Sequence, residues 1–114
     1  MGKKLLKINI EVREARNIFV AEGEVDSFSI SHFVQELDLL EKVSGQKIVL
    51  DLSRIKSINW RGLLILSKKI LEAKERDDSF LLVCQDEKIK EALSLFVYPL
   101  ELSFFSTLEE LLDS

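Results

Sequence analysis

The sequence KIVLDLSRIKSINWRGLLIL, residues 47–66, gives the clearest indication of the fold class. Its first part, Lys47–Leu52, is apolar on both faces, as is typical of a strand at the centre of a covered sheet. Apolar residues after Asn59 recur at helical spacing and predict the longest helix, over residues 60–76. A buried strand that leads directly into an amphipathic helix indicates an α/β protein.

The rest of the chain continues this alternation. Residues 6–12 alternate apolar and polar side chains, which predicts a strand with one wet face, paired antiparallel with Ile18–Ala21. That wet face indicates that helices cover the two sides of the sheet unequally. We therefore predict a single α/β domain over residues 1–114, with a mixed, mostly parallel sheet and four helices. A helix is predicted over 30–43, capped by Ser29 and ended by Ser44-Gly45, and a buried strand at Phe80–Cys84. The next predicted helix is capped by Asp86 and stopped by Tyr98-Pro99, and a short strand follows at Leu102–Phe105. The last predicted helix begins at the capping box Ser106–Glu109, and its Leu108, Leu111 and Leu112 side chains face the core.

Composition excludes several functions. The net charge is -4 and lysine pairs such as Lys68-Lys69 are scattered, so nucleic acid is not expected as the main partner. No run approaches the roughly 18 apolar residues of a membrane span, so we expect no direct membrane insertion. The single cysteine, Cys84, forms no intrachain disulfide and agrees with a reducing cytoplasm, the predicted location.

The turn SINWRG, residues 57–62, contains more than a connection needs. Asn59 is a suitable N-cap for the following helix. Ile58 and Leu63 have the spacing of a hydrophobic staple, and Gly62 allows the first turn to lie close to a neighbour. None of these roles explains Trp60.

A second polar segment, Gly23–Ser27, follows the second predicted strand and reads as a turn with acids near a helix start. Together the two segments carry a resemblance to the STAS domain family, which includes the anti-sigma factor antagonists and the cytoplasmic tails of sulfate transporters. The matching motifs, in the same order, are GEVD at Gly23–Asp26, IVLDLS at Ile48–Ser53, IN-x-x-GL at Ile58–Leu63 and STLEELL at Ser106–Leu112.

The resemblance implies a regulator that binds an anti-sigma factor or a related kinase. In the bacterial antagonists the turn before the second helix reads Asp-Ser-Ser-Gly, and the partner phosphorylates its first serine. Here Asn59, Trp60 and Arg61 replace the acid and both serines, so that switch is lost at position 60. The implied partner-binding residues are Glu24, Asp26, Ser27, Asn59, Trp60, Arg61 and Gly62. The alternative is a scaffold or accessory subunit, in an oligomeric or transporter-associated complex, that associates through the apolar segment Leu93–Phe105.

Several side chains allow two interpretations. Trp60 is either an exposed anchor for a partner or a plug over the end of the sheet. Ser57 and Ser27 are either displaced phosphorylation sites or plain solvated serines, and Asp26 either shapes the partner surface or is a turn acid. We interpret His32 as a surface residue, Cys84 as core and Asp51 as a structural hydrogen-bond acceptor. No cofactor, metal site or catalytic set is predicted, and the protein is not expected to be an enzyme.

Overall fold

The computed structural model describes residues 6–40, 47–75 and 79–113. Over these residues the element order is the predicted one, and the α/β fold with a mixed sheet and four helices is confirmed. The predicted helix end at Ser44-Gly45 lies outside the described residues. The strands are β1 (Lys7–Arg13), β2 (Arg16–Val25), β3 (Lys47–Ile58), β4 (Ser79–Val83) and β5 (Phe104–Phe105), and the helices are α1 (Ile30–Leu40), α2 (Trp60–Glu75), α3 (Glu87–Val97) and α4 (Leu108–Leu112).

The five strands form one sheet in the order β1-β2-β3-β4-β5. β1 and β2 are the predicted antiparallel hairpin, and every later neighbour is parallel. The hairpin turn is Glu14-Ala15, with φ angles of 51° and 62°. Positive φ at both central positions is the geometry of a type I′ turn, whose twist matches that of the flanking strands.

Helices cover the two faces of the sheet unequally, as the sequence predicts. Each of α1, α2 and α3 connects neighbouring parallel strands, and right-handed crossovers that all advance in one direction place their helices on one face. That face holds the main core, where Phe33, Leu66 and Leu93 are fully buried. On the other face, Leu111 of α4 covers a smaller cluster with Ile18, Val49 and Val83.

β3 is longer than predicted, because it continues past Leu52 to Ile58. The extra residues pair with β2 up to Val25↔Ile58, with register shifts on the way. Most of them are exposed, so they lack the apolar pattern of a buried strand and are held by backbone pairing to β2. β5 is shorter than predicted and keeps only Phe104–Phe105.

Of the predicted caps of α1, α3 and α4, one is confirmed and two are corrected. Asp86 Oδ1 accepts hydrogen bonds from the N–H groups of Lys88 and Ile89, as expected of an N-cap. The last helix is capped by Thr107, whose Oγ1 accepts from Glu110 N at 3.0 Å, so the predicted box beginning at Ser106 is wrong by one residue. Ser29 Oγ contacts the preceding loop instead of capping α1.

Candidate functional site

The two segments singled out in the sequence meet where β2 and β3 end. Val25 and Ile58 are neighbours at the last pair of the parallel register. The N–H of Asn59 donates to the carbonyl of Val25 at 2.9 Å, which joins the two chain segments directly. The carboxyl ends of parallel strands are where ligands and partners of α/β proteins gather.

The GEVD motif lies mostly in a strand, which corrects its prediction as a loop. β2 continues to Val25, and Val25 is buried. Gly23 has φ 117°, in the region that glycine adopts without strain, next to a register shift with β3. Glu24 is half-buried, with its Oε1 3.4 Å from the exposed Ser57 hydroxyl. The loop itself begins at Asp26.

Asp26 shapes this loop from within. Its Oδ1 accepts hydrogen bonds from Phe28 N at 2.9 Å and from Ser29 N at 3.1 Å. The Ser29 hydroxyl donates to the Glu24 carbonyl at 2.8 Å and so ties the loop to the strand. A side-chain carboxylate that bonds the backbone two and three residues on fixes a tight turn. This arrangement leaves the side chains of Ser27 and Phe28 exposed.

Asn59 holds the start of α2, as predicted. Its Oδ1 accepts from Gly62 N at 2.9 Å, the bond of an N-cap. Gly62 is buried, and a Cβ there would lie 2.8 Å from Ile58 Cγ1 and 2.9 Å from Val25 Cγ1. Ile58 and Leu63 both pack against the main core, as a hydrophobic staple does. The role of Gly62 is therefore close packing, and it offers no side chain to a partner.

Trp60 points outward, with 66% of its surface exposed, so its interpretation as a plug is wrong. Its ring stands edge-on to that of Phe96 on α3, with centroids 4.9 Å apart and an interplanar angle of 88°. This contact supports the indole from one side without covering it. Phe96 belongs to the apolar segment Leu93–Phe105 singled out in the sequence, but nothing in the sequence indicates that it contacts Trp60.

A groove of about 400 Å³ connects the two segments. We call its lining the strand-end surface; it consists of Ser27, Ile30, Asn59, Trp60 and Arg61. It thus brings together four of the seven predicted partner-binding residues. Glu24, Asp26 and Gly62 are not part of its lining.

A second groove of about 370 Å³ runs on between α1 and α2. It shares Ile30 and Arg61 with the strand-end surface, so the two grooves adjoin. Val34 and Ile65 add to the apolar lining, and these two residues and Ile30 are half-buried. The helical pattern predicts them as core, and no signal in the sequence separates a half-covered apolar residue from a buried one.

The other singled-out side chains are structural or solvated. Asp51 is buried and accepts from the backbone N–H of Ser53 at 3.0 Å and from its hydroxyl at 2.6 Å. Cys84 is buried, and desolvation raises the pKa of its thiol above the ordinary value of 9.0. His32 is exposed on α1. These positions agree with the interpretations made from the sequence.

The segment Leu93–Phe105 is mixed. Leu93 and Val97 are buried in the main core, whereas Leu95 and Tyr98 are largely exposed.

Across residues 6–40, 47–75 and 79–113, no group of three His, Cys, Asp or Glu side chains is placed to hold a metal ion. In the same part of the chain, no helix is long and apolar enough to span a membrane.

Comparison with known proteins agrees with this fold. The fold is similar to that of an anti-sigma factor antagonist from Mycobacterium paratuberculosis, with a TM-score of 0.78, 18% identity, and coverage of 95% of this chain and 92% of that one. It is also similar to the Bacillus cell fate determinant SpoIIAA in its phosphorylated form, with a TM-score of 0.70, 14% identity, and coverage of 94% and 97%. The sequence model of the STAS domain matches residues 7–111. The chain therefore belongs to the STAS domain family.

Proposed function

We propose that this protein is a regulator of the anti-sigma-factor-antagonist type, which acts in the cytoplasm by binding an anti-sigma factor or a related kinase. The observation that supports it most is the exposure of Trp60 on the first turn of α2, beside Arg61. Trp and Arg are the residue types most enriched at binding hot spots. No catalytic step is assigned to the protein itself.

The strand-end surface has the features of a preformed docking site. Asn59 caps the helix and Gly62 packs against Val25, so the backbone that carries Trp60 is fixed before a partner arrives. Preorganisation of this kind lowers the entropy cost of association. The groove that continues between α1 and α2 offers apolar lining from Ile30 and Ile65, next to the Arg61 guanidinium. A partner segment with apolar side chains and a carboxylate fits this combination.

We further propose that binding is independent of phosphorylation at position 60. Indole carries no hydroxyl, so the serine switch implied by the family resemblance has no acceptor there. Ser57 is a poor substitute, because a phosphate on its hydroxyl would lie beside the Glu24 carboxylate, now 3.4 Å away. Ser27 is exposed and is the hydroxyl that remains within the strand-end surface.

The test is calorimetric titration of the full chain with the anti-sigma factor kinase of its source organism, identified from a neighbouring gene or by affinity capture. We expect binding whose affinity is unchanged after incubation of both proteins with Mg²⁺ and ATP. Release driven by phosphorylation would contradict a permanently active binder. The double variant Ser27→Ala, Ser57→Ala shows whether such a release uses either serine.

A second candidate function is a scaffold or accessory subunit. The exposed Leu95 and Tyr98 at the end of α3 favour it, because large exposed apolar side chains that lie close together mark interaction sites. Capture of transporter subunits or of assembled complexes, lost in the variant Leu95→Ser, Tyr98→Ser but kept in Trp60→Ala, would favour this function over the first.

A further inference from the structure

The free edge of β1 is a second surface that the proposed function does not use. β1 is seven residues long and stands at the edge of the sheet. Among the described residues it pairs with β2 alone. Native edge strands are usually protected by charged side chains, proline, bulges or short length, because open backbone groups invite another strand. Of these protections, β1 carries the charges of Lys7, Glu11 and Arg13. The seven residues of β1 contain no proline, and their register with β2 runs without a shift.

The hairpin fixes which backbone groups face outward. Arg13 and Arg16 flank the two-residue turn as the first pair of the ladder, so they exchange hydrogen bonds with each other. Bonded and non-bonded pairs alternate along an antiparallel ladder. The N–H and C=O groups of Ile8, Ile10 and Val12 therefore point to the free edge.

Apolar side chains accompany these open groups. Val12 is 70% exposed and Ile10 is 40% exposed, although both lie on the helix-covered face of the sheet. Ile8, on the same face, packs against the main core. The edge therefore combines unpaired backbone groups with apolar surface that the described part of the chain leaves in water.

We propose that the edge of β1 binds β1 of a second copy of this chain, antiparallel, about a two-fold axis at Asn9. This register joins the two sheets into one and places compatible side chains opposite each other throughout. Asn9 faces Asn9 on the axis. The remaining facing pairs are Ile8 with Ile10, Lys7 with Glu11, and Leu6 with Val12, each formed twice.

Charge favours this register over its neighbours on either side. Sliding the second strand by two residues away from the hairpin places Lys7 opposite Asn9, which loses both Lys7–Glu11 pairs but creates no like-charged pair. Sliding the second strand by two residues toward the hairpin places Lys7 opposite Arg13, and a further two residues place Glu11 opposite Glu11. Like charges directly opposite are destabilising, whereas opposite charges and apolar pairs each stabilise a ladder. The segment Leu6–Val12 is thus complementary to itself when read in reverse, which favours a second copy as the occupant over an unrelated strand.

The experiment measures the dimer dissociation constant of the full chain by sedimentation equilibrium, with circular dichroism as a check on folding. Lys7→Glu and Glu11→Lys each create two like-charged pairs, and we expect each to weaken the dimer about tenfold. The double variant Lys7→Glu, Glu11→Lys restores both pairs and should restore the dimer. Both side chains are exposed. Lys7→Glu also places a second carboxylate opposite Glu22 within the hairpin, so its effect on the fold is followed separately by circular dichroism, whereas Glu11 faces the apolar Ile18.

Ile10→Pro provides a second variant. It removes an N–H that points away from β2, and proline is tolerated at such edge positions, so the variant should fold as a monomer. Lys68→Glu, an exposed charge reversal on α2, is the matched control and should leave the dimer intact.

A wild-type chain that stays monomeric at all concentrations would overturn the proposal. A dimer whose dissociation constant is unchanged in every β1 variant would also overturn it. A dimer disrupted instead by Leu95→Ser, Tyr98→Ser would be one such case. A monomer whose kinase binding is lost in Ile10→Pro would assign the edge to a partner's strand and also overturn it. Failure of the proposed function is distinguishable, because Trp60→Ala concerns kinase binding and should leave the dimer unchanged.

Discussion

At the scale of single residues, the adjacent Asn59 and Trp60 have different roles, one in capping the helix and the other in the exposed surface. Asn59 satisfies a free N–H group at the start of α2. Trp60 extends into solvent and, among the aromatic rings of the described residues, contacts that of Phe96 alone. Because Asn and Asp serve about equally as N-caps, the turn keeps its shape when the acid of related turns is replaced. Position 60 can then change its chemistry while the helix cap is kept.

The cap leads to a stability prediction. Asn59→Ala removes the acceptor of Gly62 N and should lower the free energy of unfolding by about 1 kcal/mol. Asn59→Asp is the matched control and should remain close to wild type, since a carboxylate accepts the same bond. Urea unfolding followed by circular dichroism measures both. Equal losses in the two variants would show that the cap contributes nothing.

Cys84 leads to a prediction about pH. Burial raises the pKa of its thiol in the folded state above the ordinary value of 9.0 that it has when unfolded. Above that value the unfolded chain gives up a proton that the folded chain keeps, so stability is full below it and falls as pH rises through the folded pKa.

Cys84→Ala removes this titration. We expect the difference in unfolding free energy between wild type and variant to shrink from neutral pH to above pH 9.0, as measured by urea unfolding. The variant also leaves a small cavity, which lowers stability by the same amount at every pH. A difference that stays constant across the range would contradict the raised pKa.

At the scale of elements, α4 has an importance beyond its five residues. Leu111 is fully buried against Ile18, Val49 and Val83, and α4 is the helix that covers this face in the described part of the chain. Leu111→Ala should lower the unfolding free energy by about 2–4 kcal/mol. Leu112→Ala, at a half-buried neighbour, is the control and should cost less. Thermal unfolding measures both, and equal small losses would mean that α4 does not anchor the sheet.

The elements also show what the sequence could and could not predict. The centre of β3 and the length of α2 followed from apolar patterns, because those residues pack on a core. The end of β3 could not be predicted in this way, because Ser53–Ile58 is mostly exposed and is held by backbone pairing to β2. Backbone pairing leaves no pattern of apolar side chains in the sequence of the strand. The Thr107 cap was missed by one residue, since Ser106 and Thr107 are both suitable caps with a glutamate three residues on.

At the scale of the whole molecule, the connections decide where binding surfaces remain. Sequential strands with right-handed crossovers put α1, α2 and α3 on one face, and they bring the carboxyl ends of β2 and β3 together at one end of the sheet. That meeting of the strand ends was predictable from the order of the motifs. The groove between α1 and α2 was not, because Ile30 and Ile65 have the same helical spacing whether covered fully or in part.

The central claim is that the exposed Trp60 anchors a partner, and one variant tests it with two readouts. For Trp60→Ala we expect affinity for the anti-sigma factor kinase to fall about 30-fold, the loss of a hot spot of about 2 kcal/mol. Thermal unfolding should change little, since the indole contributes to the fold mainly through its edge contact with Phe96, worth about 1 kcal/mol.

Leu71→Ala, an exposed leucine farther along α2, is the control and should change neither quantity much. The decisive measurement is therefore calorimetric affinity of wild type, Trp60→Ala and Leu71→Ala beside their unfolding temperatures. We predict that Trp60→Ala loses affinity and keeps its stability. Unchanged affinity with a large loss of stability would contradict it.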